Sequence, residues 1–209
     1  MSGNLFVKDY VYFIEQFKGN GDFIRSLKFP HTIHDFFPDN EGNFFILLCK
    51  FNEVGHVHQF CKVDTDGNII RVIAEHPYTK YLKHLENGYR FTVTTGHELS
   101  IKFTKLNDKE WIYGYSQKYE LNIINLSGKI IRKIKKDESP PKFTKIEKEI
   151  FKKIGIPEYK PYFYSILVDD LGHIYIQRDI VYRDDYESQN RVDIFPSERS
   201  ERGQTDLSY

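Results

Sequence analysis

Methionine and tryptophan occur once each in this chain, and cysteine only twice, at Cys49 and Cys61. Two cysteines can build neither a disulfide framework nor a zinc finger. They lie in two apolar runs joined by the loop 52–55. A hairpin there sets Cys49 opposite about residue 58 instead of the other thiol, so both read as buried thiols acting as small hydrophobes. No run approaches the roughly 18 consecutive apolar residues of a membrane helix, and no membrane span is expected. The opening Met1-Ser2-Gly3-Asn4-Leu5 lacks the basic segment and apolar core of a secretory leader. Missing too are a serine-nucleophile elbow, a phosphate-cradling glycine loop, a zincin motif and a Trp-Asp blade signature. No catalytic residue and no cofactor is therefore assigned.

What the chain does have is aromatic side chains, 17 Phe and 15 Tyr in 209 residues. Aromatic and β-branched residues suit a pleated, half-buried surface, so this bias favours sheet. One short pattern recurs three times: Asn20-Gly21-Asp22-Phe23-Ile24-Arg25, Asp66-Gly67-Asn68-Ile69-Ile70-Arg71 and Ser127-Gly128-Lys129-Ile130-Ile131-Arg132. Each copy follows a strand-like run, and a polar-Gly pair between two extended runs is a hairpin corner. The glycines are 46 and 61 residues apart, a period of four-stranded propeller blades with the third enlarged.

A second repeat precedes the hairpins. The segment Ile33 to Ile46 aligns without a gap with Phe163 to Ile176, matching Asp39 to Asp169 and Gly42 to Gly172. Each reads as strand, acidic-glycine turn, strand. The two patterns together make an up-and-down sheet of four strands, which is one blade. The expected fold is thus all-β, a single β-propeller domain over 1–209 with about 3.5 to 4 blades visible. They cover residues 3–30, 31–76 and 77–137, then run from about Lys160 to Phe195. A helical insertion is expected over 138–160. There Thr144 and Glu147 form a capping box, Ile146, Ile150 and Ile154 an apolar stripe against a blade edge, and Gly155 with Pro157 the stop.

The stretches Gly3 to Asp9 and Ile14 to Leu27 resemble an NHL repeat. The segment Trp111 to Ser116, the Gly128 hairpin, the capped helix, Pro161-Tyr162-Phe163 and the Asp169–Gly172 turn are similar to bacterial six-bladed propeller proteins of uncharacterised function. The resemblance implies six blades and export to the periplasm or cell surface. The chain shows neither six blades nor a leader, so a partial or truncated propeller is expected, with open blade edges as a route to self-association.

Several residues invite chemical readings. His56 and His58 project to one face of an extended run, as two imidazole metal ligands would, but no third ligand at fixed spacing accompanies them. His31 and His34 open an innermost strand, where propellers line their channel, and His34 aligns with Tyr164. Arg178 and Asp179 follow a second strand, on the face where ligand loops cluster. His34, Tyr164, Arg178 and Asp179 are accordingly the candidate ligand contacts. Asp39 and Asp169 read as turn caps, because a short carboxylate three residues before the turn glycine bonds the turn amides. Asp64 to Gly67 lacks the remaining ligands of a calcium loop.

Three functions follow. The first is a binding or scaffold module that recognises a protein, peptide or glycan through loops on one face. The second is a metal-dependent hydrolase or lyase of the NHL-like kind, with a metal held by residues such as His34, His56 or His58. The third is a nucleic-acid binder using residues 128–160, which hold eleven Lys/Arg against five Asp/Glu. A solvated outer strand followed by a solvated helix accounts better for that basic stretch, so a nucleic-acid partner is not expected.

Overall fold

A computed structural model describes residues 3–9, 11–52, 55–78, 81–84, 90–93, 97–152, 158–178 and 191–196. The three repeated glycines sit at hairpin corners with φ of 91° at Gly21, 87° at Gly67 and 77° at Gly128, a region a side chain with Cβ rarely enters. Around these corners the chain forms β1 (Leu5–Asp9), β2 (Phe13–Phe17) and β3 (Phe23–Lys28) as a first sheet. A second contains β4 (Thr32–Pro38), β5 (Phe44–Asn52), β6 (Gly55–Val63) and β7 (Ile69–Pro77). A two-stranded hairpin, β8 (Tyr81–His84) and β9 (Arg90–Val93), follows. The next sheet is β10 (Ile101–Lys105), β11 (Glu110–Tyr115), β12 (Glu120–Asn125) and β13 (Ile130–Lys135). The helix α1 (Lys145–Phe151) then leads to β14 (Ser165–Val168), β15 (Ile174–Gln177) and β16 (Val192–Phe195). Sequential strands are neighbours and pair antiparallel throughout. The fold class is all-β, built of up-and-down propeller blades with four strands in two of the sheets. The β8–β9 hairpin is separate from the sheet that follows it, which the repeat pattern did not anticipate.

The chain divides into two compact units, Met1–Thr79 with Leu126–Lys129, and Lys80–Asn125 with Ile130–Tyr209. In the first, the β1–β3 and β4–β7 sheets bury Ile14, Leu27, Phe29, Ile33, Phe44, Ile46, Leu48, Cys61 and Val63 in one cluster. In the second, β10–β13 and β14–β16 enclose Ile112, Tyr119, Leu121, Ile123, Phe163, Ile166, Ile174 and Ile176. Apolar burial contributes about 1.5–3 kcal/mol per large side chain, against about 1 kcal/mol for a typical hydrogen bond. The clusters therefore supply most of the stability, and the turns select the register. Burial pushes the Cys61 thiol up to about 12, so it is an inert core group, as expected of it.

The helix differs from its expected packing. Its capping box is formed, Thr144 Oγ1 accepting from the Glu147 amide at 3.2 Å and Glu147 Oε2 from the Thr144 amide at 2.7 Å. Yet Ile146 is 59% exposed, while Glu147 and Phe151 are buried. The face turned inward is set by the ion pair of Glu147 with the buried Lys160, 2.6 Å apart, and by Phe151 beside Phe143. Ile154, Gly155 and Pro157 lie outside the described residues. Among the described residues no helix is long and apolar enough to cross a membrane.

Gly114 in β11 has no room for a side chain. A Cβ there would lie 2.8 Å from the Glu120 carbonyl oxygen, 2.8 Å from Leu121 and 2.9 Å from Phe163. Gly114→Ala should lower unfolding free energy by about 1–3 kcal/mol in denaturant melts. Gly3→Ala, with nothing within 4 Å, should change it by less than about 0.5 kcal/mol.

Candidate functional site

The densest group of chemistry-bearing side chains lies on the second sheet, on the face of β5 and β6 turned away from the first unit's apolar cluster. Cys49 and His58 are directly paired across β5 and β6, and in an antiparallel pair such residues share a face. On β4 the register slips by one residue between Ile33 and Asp35. His34, next to the inward-facing Ile33, lies on the same face, and its Nδ1 is 2.8 Å from His58 Nε2. Tyr78 stacks on His58 with ring centroids 4.0 Å apart at 10°, and meets His34 edge-on at 5.1 Å and 89°. His58 is 1% exposed and Cys49 is buried, while His34 is half-buried. One donor atom from each of His34, Cys49 and His58 falls within 4.8 Å of the other two.

The bulge has a cause in the residue pattern. Ile33 opposes Leu48 and Phe36 opposes Ile46, and Ile33 and Phe36 both face the apolar cluster. Three positions separate them, an odd spacing that period-two alternation forbids, so one residue must be left out of the ladder. Asp35 Oδ1 accepts from the Phe36 amide at 2.9 Å within this bulge. His56 also points to this side, its Nδ1 3.7 Å from Cys49 Sγ. The spacing singled out His56 and His58; the fold joins His58 to His34 and Cys49. The i, i+2 relation was visible in sequence, whereas the cross-strand cysteine needed the register.

The other expected ligand contacts lie in the second unit. Tyr164 donates to or accepts from His97 Nδ1 at 2.6 Å, and His97 is fully buried against Phe143 and Phe151. Arg178 is buried in an ionic network. Its guanidinium pairs with Glu138 and with Asp193 Oδ2, the latter at 3.2 Å, and lies 5.1 Å over the Tyr119 ring. Lys136 reaches the same Asp193 oxygen at 3.2 Å, and the Tyr119 hydroxyl donates to it at 2.7 Å. Burial and that bond raise the Tyr119 phenol far above its usual value. Asp179 lies outside the described residues, and His31 is half-buried just ahead of β4.

The acidic turns are occupied with their own backbones. Asp39 Oδ1 accepts from the amides of Glu41 and Asn43, both at 2.9 Å, and Lys62 Nζ lies 3.3 Å from Asp39 Oδ2. Asp64 Oδ1 accepts from the amides of Asp66 and Asn68 at 2.9 and 2.8 Å. Asp169 Oδ1 accepts from Leu171 and His173 amides at 3.0 and 2.8 Å, and its Oδ2 takes bonds from His173 and Tyr175. Burial raises the Asp169 carboxyl, but these bonds outweigh it and hold the group at about 2.

The Asp169 turn also borders an open polar groove of about 540 Å³ in the second unit. Its other walls are the turn from Lys105 to Asp108 with Glu110, Arg132 of β13, and Pro196 after β16. Lys105 and Asp108 pair across its rim at 2.7 Å. Two lysines of the basic stretch are engaged by a carboxylate: Lys133 and Lys135 each lie 2.8 Å from Glu120, whose carboxyl these hydrogen bonds lower to about 2.

No family model and no curated protein matches the chain. Among solved structures it is similar to a protein of unknown function from Bacteroides caccae, with 12% identity and TM-score 0.38, covering 93% of this chain and 74% of that one. It is similar to the β-propeller domain of Myceliophteria thermophila Cps50 (Swd1), with 12% identity and TM-score 0.43, covering 93% and 55%. It is also similar to virginiamycin B lyase from Staphylococcus aureus, with 10% identity and TM-score 0.29, covering 94% and 82%. Superpositions of this quality say nothing about chemistry, and the functional reading rests on the side chains.

Two outcomes follow. Asp169 has a depressed native pKa, so its stabilising contribution is complete above the ordinary carboxylate range and is lost as pH falls from about 4 towards 2. A carboxyl-carbon NMR titration should find it still ionised at about pH 3, where an ordinary aspartate is mostly protonated; a midpoint at the usual 3.8 contradicts the turn geometry. Arg178→Ala removes the buried cation between Glu138 and Asp193, leaving them the half-exposed Lys136, and should cost about 2–4 kcal/mol in denaturant unfolding. A change under about 0.5 kcal/mol would show the network to be idle.

Proposed function

We propose that this chain is a binding module of the NHL-like propeller kind, recognising a peptide or glycan through the polar groove formed by the Lys105–Asp108 and Asp169–Gly172 turns. The groove is the observation that carries this reading. It joins corresponding first-to-second-strand turns of two sheets, and its walls present the cation Arg132, the carboxylates of Glu110 and Asp170 and the exposed Leu171. A hydroxyl-rich or main-chain ligand needs such a mixture of donors, acceptors and a small apolar contact. Support for the NHL-like kind comes from three hairpins of one pattern turning at Gly21, Gly67 and Gly128 with positive φ.

Other roles fit the same residues less well. Asp39, Asp64 and Asp169 are engaged with their own turns, which leaves them poorly placed for acid-base work. The lysines of 133–136 are matched by Glu120, Glu138 and Asp193, which weakens a phosphate-binding reading.

Screening the protein on an immobilised glycan array and a displayed peptide library tests the proposal. Ligands recovered from either should lose about tenfold or more in affinity, about 1.4 kcal/mol, on Arg132→Glu or Asp170→Lys. Ligands that bind both variants as tightly as the parent would show that the groove is not the site.

A further inference from the structure

We infer that His34, Cys49 and His58 form a three-ligand site for a zinc ion, built into the second sheet and distinct from the groove of the second unit. This goes beyond the binding reading and does not depend on it. The donor set is the first argument. Two imidazoles and one thiolate make a borderline-soft site, which suits Zn²⁺ and disfavours the all-oxygen ions Ca²⁺ and Mg²⁺.

The second argument is spacing. With Zn–N near 2.0–2.1 Å and Zn–S near 2.3 Å, tetrahedral ligand atoms stand roughly 3.3–3.6 Å apart. The two ring nitrogens are 2.8 Å apart, and all three donors lie within 4.8 Å of one another. Side-chain rotations that change these separations by up to about 1–1.5 Å bring them to a common centre. The third argument is preorganisation. Cys49 and His58 are held opposite each other by the ladder of β5 and β6, and Tyr78 fixes the planes of both rings from two sides. Residues outside the ligand set that orient the ligands in this way are a regular part of metal sites.

Proton accounting is simple. In the metal-free protein one ring nitrogen of the His34–His58 pair donates to the other. On binding, each neutral imidazole keeps its single proton on the nitrogen that does not face the metal, and the Cys49 thiol releases its proton as the Zn–S bond forms. One proton leaves for each ion bound. Three protein ligands leave a fourth tetrahedral position, for water or a donor atom of a ligand. His34 is the least buried of the three.

The test uses the full chain. Zinc titrated calorimetrically in buffers of different ionisation enthalpy should bind one ion per chain with release of about one proton at neutral pH. Cobalt substituted for zinc should give a thiolate-to-metal charge-transfer band in the near ultraviolet and tetrahedral bands in the visible. Cys49→Ser should abolish the charge-transfer band. His34→Gln, at the half-buried position and so least disruptive to folding, should weaken zinc binding by about a hundredfold or more. His31→Gln should leave both readouts unchanged. Failure of the parent protein to bind zinc stoichiometrically, or a cobalt–thiolate band that survives Cys49→Ser, overturns the site. Neither result touches the groove, whose variants are read on glycan and peptide ligands.

Discussion

The β4–β7 and β14–β16 sheets turn at corners in which a glycine at positive φ is paired with an aspartate that bonds the amides beyond it. The glycine permits the reversal, and the carboxylate of Asp39, Asp64 or Asp169 satisfies donors that the reversal would leave unpaired. The register that emerges is all-or-none in its consequences. A slip of one residue would turn Phe44, Ile46 and Leu48 out of the first cluster and put Phe45 and Leu47 in their place. The hydrogen bonds at the corners are individually small, but they decide which of two faces the larger burial term acts on.

The same constraint makes these acids poor candidates for acid-base chemistry. A carboxylate accepting two or three bonds from its own turn has its lone pairs filled and its pKa depressed, as Asp169 does at about 2. A general acid needs the opposite, a carboxyl raised towards neutral pH. In the first unit Lys62 reaches from β6 to the Asp39 carboxylate and so ties a corner to the strand beyond its neighbour. In the second unit Arg178 does comparable work, drawing β16 to the segment after β13 through Asp193 and Glu138.

Hairpin corners and blade repeats were readable in the residues because a glycine and its polar partner act locally. The correspondence of Asp39 with Asp169 carried through to the same pair of amide bonds at Oδ1. Elements decided by distant contacts were not readable. Ile146 looked like the inward face of the helix by periodicity, but the buried Glu147–Lys160 pair rotates that face to solvent. Arg178 looked like a surface contact because it follows a strand, and only its partners 40 and 15 residues away, Glu138 and Asp193, show that it is buried. The β4 bulge lies between these cases. The odd spacing of Ile33 and Phe36 is written in the chain, but it means a bulge only once both side chains are known to share a core.

That bulge ties the packing of the core to the chemistry of the opposite face. A regular β4 would set Asp35 opposite Ile46 and turn it into the apolar cluster, at the cost of a buried carboxylate. Leaving one residue out of the ladder puts Phe36 there instead and frees His34 from a pairing position. The side chain so released meets His58, the direct cross-strand partner of Cys49. The slip keeps Phe36 in the core on one side of the sheet and leaves His34 unpaired beside His58 on the other. Two of the three donors come from directly opposed positions whose separation the ladder fixes, and the third shares their face through the alternation of β4 at Ile33.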